Sequence, residues 1–182
     1  MCPTDPTTTM LSDRSAQMQL LKPFVTVSEC MEPDADVDAL MRRLLNVGAP
    51  AFPLHFLTHV IADDGRRHLA CYIHATDCGD IVLTGGACTD NRLLRRLSAE
   101  KRALLREVGG IYRYTIMHMQ IVLKDRFHAL FACCGNKAAE RIMLETDAVR
   151  AGPDELFVCW MRDAPAAQRR QMIAKARSFM PF

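Results

Sequence analysis

Arg106-Glu107-Val108-Gly109-Gly110-Ile111-Tyr112 lies between apolar, strand-like runs that end at Cys88 and begin at Arg126, and its reading decides the fold. A glycine pair that opens a helix after a strand is a place where proteins hold a diphosphate. The first amides of a helix lack intrahelical partners and carry partial positive charge, and missing side chains let an anion come close. The same dipeptide also serves as a plain glycine cap. The order of the surrounding elements separates the two readings.

Upstream, residues 1 to 20 are rich in Pro, Thr and Ser without sustained periodicity and read as a flexible leader to a single domain over 21–182. Lys22 to Ser28 alternates and carries β-branched residues, as a first strand does. Val37, Leu40, Met41, Leu44 and Leu45 recur at helical spacing, with acidic residues before them and Gly48 after. Leu54–Ala62 and His68–Ala75 are β-rich runs around Asp63-Asp64-Gly65, a hairpin signal. Asp80–Cys88 supplies the next strand, and Gly85-Gly86 within it marks a bulge or a close backbone approach.

Two short helices follow, Asn91–Leu97 and Ala99–Glu107, the second capped by Ser98; a longer, apolar one spans Gly110–Lys124. Arg126–Cys134, Asn136–Thr146 and Glu155–Met161 read as strand, helix and strand, and a last helix runs from Asp163-Ala-Pro165 to about Ser178. The sum is an α+β fold: a central, mostly antiparallel twisted sheet of about six to seven strands flanked by helices.

A chain of 182 residues, 49% of them hydrophobic, builds one core, and a net charge of +2 gives no field that calls for nucleic acid or an anionic membrane. No apolar run reaches the roughly 18 residues of a membrane span. Eight cysteines without paired C-x-x-C spacing, in a chain of this length with no signal peptide, read as reduced thiols of a cytoplasmic protein. His55 and His59, or His68 and His74, are spaced for one strand face, but four residues of strand span about 13 Å, too far for one zinc ion; adjacent strands could still bring His55 or His59 near His68 or His74, yet solvated or core histidines are the usual outcome and no metal is expected.

From Leu54 to Met161 the element order resembles the GNAT superfamily of acyl-CoA-dependent N-acyltransferases. Arg106, Gly109 and Gly110 are similar to that family's Arg/Gln-x-x-Gly-x-Gly/Ala motif, with Ile111 where a small residue is expected. Asn136-Lys-Ala-Ala139 is similar to its Asn-x-x-Ala. The resemblance implies acetyl-CoA or another acyl-CoA as co-substrate and a small-molecule or peptide amine as acceptor. It also implies direct attack of the amine on the thioester. Two departures stand out: the family's tyrosine, seven positions after the asparagine, is Met143, and about twenty residues separate Cys88 from Gly109.

The resemblance distributes roles. Arg106, Val108, Gly109, Gly110 and Ile111 would cradle the diphosphate, and Ala87 and Cys88 on the strand edge, with Asn136 and Ala139 opposite, would border the pantetheine arm. Asp90, just beyond the third strand, is a candidate base and otherwise a helix cap. Cys134 is a candidate acid or acyl acceptor and otherwise a buried hydrophobe. Arg92, Arg95 and Arg96 are candidates for the adenosine 3′-phosphate or an acidic substrate, or form a solvated face. A GNAT-like module that has lost catalysis is the alternative function, and a homodimer through Trp160 and the last helix is a third expectation.

Overall fold

The computed structural model describes residues 15–182. Residues 1–14 of the expected leader lie outside the described residues. The rest of it does not behave as a leader: residues 15–21 are helical (α1), and Met18 and Leu21 are buried in the main core. Two apolar side chains one helical turn apart are enough to seat this segment, and no longer period announces it.

The chain then runs β1 (Val25–Cys30), α2 (Ala35–Leu45), β2 (Leu54–Ile61), β3 (Arg67–Asp77) and β4 (Ile81–Thr89). It continues through α3 (Asn91–Arg96), α4 (Ala99–Glu107), α5 (Ile111–Leu123), β5 (Ala129–Cys133) and α6 (Lys137–Glu145). It closes with β6 (Val149–Arg150), β7 (Leu156–Trp160) and α7 (Ala166–Arg177). The seven strands form one sheet in the order β1-β2-β3-β4-β5-β7-β6. Every neighbouring pair is antiparallel except β4 and β5, which run parallel. The expected fold class therefore holds. β6 was not expected, because two residues carry no readable alternation.

Both faces of the sheet are covered, so its central strands are apolar on both sides. Phe56, Ile73, Val82, Leu130 and Phe157 point to one face, under α5. Their neighbours point to the other, where Ile81, Leu83, Phe131 and Val158 lie under α7, and Leu57 and Tyr72 under α2. Phe56, Phe131 and Phe157 are wholly buried, each contributing about 2–3 kcal/mol. The last helix turns Met172 and Ala176 inward onto the sheet, and Trp160 lies edge-on to Phe131 beneath the Arg169 guanidinium. No helix among the described residues is long and apolar enough to cross a membrane.

Candidate functional site

The site lies where the two parallel strands part. β4 and β5 pair only from Ile81 with Ala129 to Thr84 with Ala132. Beyond that point β4 loses its regular register with β3, between the pairs His74–Gly85 and Tyr72–Cys88. β4 advances three residues there against two on β3, and the one extra residue makes the bulge that Gly85-Gly86 announces. Gly86 adopts φ 51°, and a β-carbon there would run into the imidazole of His74. The glycine is needed for both reasons.

Between the parted strands opens a cleft of ≈ 640 Å³, walled by Gly85–Thr89 on one side and Cys133–Asn136 on the other. Gly109, Gly110, Ile111 and Tyr112 close one end, and Ala138, Ala139 and Ile142 of α6 also line it. Ala87, Cys88, Gly109, Gly110, Ile111, Asn136 and Ala139 thus share one cavity. The backbone of β4 beyond Thr84 has no strand partner on the cleft side, leaving edge groups for an extended ligand.

The glycine pair performs two tasks. Gly109, at φ 77°, ends α4: its amide donates to the Arg106 carbonyl at 3.0 Å, and the Gly110 amide to the Leu105 carbonyl at 2.7 Å. These are the two bonds of a Schellman cap. Gly110, at φ 96°, then caps α5 without any side-chain acceptor. This corrects the expected cradle. The amides of Val108, Gly109 and Gly110 are spent on α4, and Val108 is wholly buried and borders no cavity of the site. The free donors of the helix start belong to Ile111, Tyr112 and Arg113. Ile111 does not obstruct them, since its side chain is 2% exposed and packs into the core. Arg113 turns its side chain away, donating to the Val108 carbonyl at 2.8 Å and to Gln17 of α1 at 2.9 Å.

Arg106 borders a second, adjoining pocket with Gly109, Gly110 and Ile111, so it stays beside the helix start. Asn136 is the cap of α6, its side-chain oxygen accepting from the Ala138 and Ala139 amides at 3.1 and 3.0 Å. Its amide nitrogen remains for a ligand in the cleft.

Both expected catalytic residues have other occupations. One Asp90 oxygen accepts from the Arg92 and Leu93 amides at 3.0 Å each, capping α3, and the other meets Arg43 at 2.6 Å. Burial opposes its charge but is outweighed by the Leu93 amide and Arg43, which hold the carboxyl below its usual range. Asp90 does not line the cleft but a separate cavity on the far side of α3. Asp90→Ala should therefore lower unfolding stability by about 1–2 kcal/mol in urea titration, and Asp90→Asn, which keeps the cap oxygen, by clearly less. A cap without energetic weight would leave both variants at wild-type stability.

Cys134 does line the cleft, but burial pushes its thiol up to about 12, and the like-charged neighbourhood of Cys133 and Glu140 adds to this. Such a thiol is neither a ready nucleophile nor a useful acid: protonating an ordinary thiolate would be uphill by a factor of roughly 10³. Met143 is wholly buried in the core. Tyr112 is the phenol that borders the cleft, and burial raises its pKa as well. Its place was hidden in the sequence because it sits on the second residue of α5, far from where a family tyrosine would stand.

Among the described residues, one group that includes a histidine has ligand atoms close enough for a metal ion, Asp34, Asp36 and His59. His55 and His74 face each other across β2 and β3, but the His55 Nδ1 is 2.7 Å from the Tyr72 hydroxyl. His59 comes close to Asp34 and Asp36, yet Arg67 lies 2.9 Å from its Nδ1.

A seven-stranded mixed sheet with one parallel pair, parting over a glycine-opened helix, is a GNAT-like fold. Among solved structures, the crystal structure of the ribosomal-protein-S18-alanine N-acetyltransferase from Escherichia coli is similar, with a TM-score of 0.51 at 15% identity. The similarity covers 78% of this chain and 97% of that one. No family model matches the sequence, and neither does any curated protein sequence.

Proposed function

We propose that the protein is an N-acyltransferase that takes an acetyl or other acyl group from acyl-CoA to an amine by direct attack. The observation behind the reading is the parting of β4 and β5 toward the uncapped start of α5. The three parts of such a ligand find matching chemistry there. The amides of Ile111 to Arg113, with Arg106, suit a diphosphate. The open edge from Gly85 to Thr89 suits the amides of an extended arm, and the apolar side chains of Leu94, Ala132 and Ile142 that line the same cleft suit an acyl chain. The bound co-substrate supplies the activated carbonyl, and the chain's backbone holds and orients it. Amine deprotonation falls to water, since the cleft's thiols and phenol are all shifted away from neutral pH.

Isothermal titration with acetyl-CoA tests the reading. Binding in the micromolar range is expected, weakened about tenfold by Arg106→Ala and unchanged by Arg66→Ala on the distant hairpin. Absence of binding at millimolar ligand would remove it. Among the described residues that line the cleft, no thiol or phenol keeps its ordinary pKa, which favours a second reading, a GNAT-like ligand-sensing module. Binding without acyl transfer to any amine of a broad panel would select that one. The free thiols of the cysteines among the described residues go with a cytoplasmic setting, where they stay reduced.

A further inference from the structure

The connection between β4 and α5 is folded into two short helices, and each sends one row of side chains toward a common pocket of ≈ 450 Å³. Asn91, Leu94 and Arg95 come from α3, and Arg102, Leu105 and Arg106 from α4, each set at the i, i+3, i+4 spacing that shares a helix face. Leu94, Leu105 and Ile111 give the pocket an apolar floor, and it joins the main cleft through Leu94 and the glycine pair.

Its charge is one-sided. No carboxylate lines it, and Arg95, Arg102 and Arg106 make no ion pair among the described residues. The cavity across α3 is different: Arg92 and Arg96 share it with Asp36, Asp63, Asp64 and Asp90. Of the three arginines on α3, only Arg95 therefore stands in an uncompensated field.

We propose that Arg95 and Arg102 form a subsite for a phosphate monoester dianion at the outer end of the cleft, taking the 3′-phosphate on the adenosine of coenzyme A. The proposal rests on the acyl-CoA reading and adds a selectivity to it. Arg106 lies next to the helix start and serves the diphosphate. Arg95 and Arg102, which share its pocket, then meet the only other strongly charged group such a ligand carries, while the apolar floor takes one face of the adenine. The chain thus separates coenzyme A from 3′-dephospho-coenzyme A.

The test is a pair of titrations at low ionic strength, one with each nucleotide. Wild type should bind coenzyme A at least tenfold more tightly than the dephospho form, with the preference shrinking as salt is added. Arg95→Gln with Arg102→Gln should bring coenzyme A down to the dephospho level and leave dephospho binding within about twofold. Both side chains are exposed and unpaired, so circular dichroism should confirm an unaltered fold. Equal binding of the two nucleotides by wild type would overturn the subsite and leave the acyl-CoA reading standing. A double variant weakened equally for both would assign these arginines to the diphosphate instead and also overturn it. Binding of neither nucleotide by wild type would overturn the acyl-CoA reading itself.

Discussion

Gly86→Ala is expected to destabilise the protein by about 3 kcal/mol and to weaken acyl-CoA binding about a hundredfold. Two costs combine. The residue holds φ 51°, a conformation worth roughly 1–2 kcal/mol against any L side chain, and the added carbon meets the His74 ring, which is itself stacked on Phe52 at 3.7 Å. The ring cannot retreat, so the strand must, and it moves into the cleft it borders. Gly65→Ala is the control, since that glycine has a similar φ of 76° and open space around it. It should show the backbone cost alone. In the double variant Gly86→Ala with His74→Ala the two losses should sum to less than their separate values, the mark of a relieved collision. Additive losses would mean that the imidazole is not what Gly86 accommodates.

Thermal stability should fall steeply between pH 6.5 and pH 4.5, before the carboxylates titrate. The largest identified contribution is His74, whose pKa burial lowers to about 4, with His55 nearby adding to the shift. Its Nδ1 is buried without a partner. Above pH 6.5 the ring is neutral in folded and unfolded chains alike, and it contributes no pH dependence. As pH falls, the unfolded chain takes up the proton while the folded one refuses it until about pH 4, so stability is lost across that window. The full loss is about 3 kcal/mol, roughly 6–12 °C in Tm for a chain of this size. His55, His59 and His118 are shifted the same way by burial and deepen the slope. Comparing Tm at pH 7 and pH 5 for wild type and His74→Gln checks the assignment: the variant should show a distinctly smaller drop. An identical drop would place the acid sensitivity elsewhere.

Strands and helices with sustained periods were legible in the residues, and so was the bulge at Gly85-Gly86, because paired glycines seldom interrupt a β-branched run unless the strand bends or something approaches it closely. What escaped was ownership. Val108, Gly109 and Gly110 were expected to lend their amides to an anion, but whether a helix ends just before a glycine pair, and so consumes those amides, depends on the turn it makes and not on the dipeptide. Asp90 offers the same lesson. A carboxylate after a strand is compatible with a base or a cap, and its partner Arg43 is 47 positions away, on a helix that sequence alone does not bring near. Cys134 lines the cleft, and the depth of burial that silences its thiol emerges only from packing. Arg102 is not legible in the sequence, because a lone arginine on a charged helix looks solvated until Arg95 is seen to line the same pocket.

Helix α3 is a partition of six residues with an uncompensated arginine on one side and, on the other, two that share a cavity with carboxylates. Which side chain faces which chamber is a matter of phase, because each residue of an α-helix turns the next by about 100°. One residue added ahead of Arg95 would hand it the direction now held by Arg96. One removed would swing Arg96 into the place of Arg95. Single-residue length differences in this connection, ordinarily dismissed as loop drift, therefore amount to rewiring where the positive charge points.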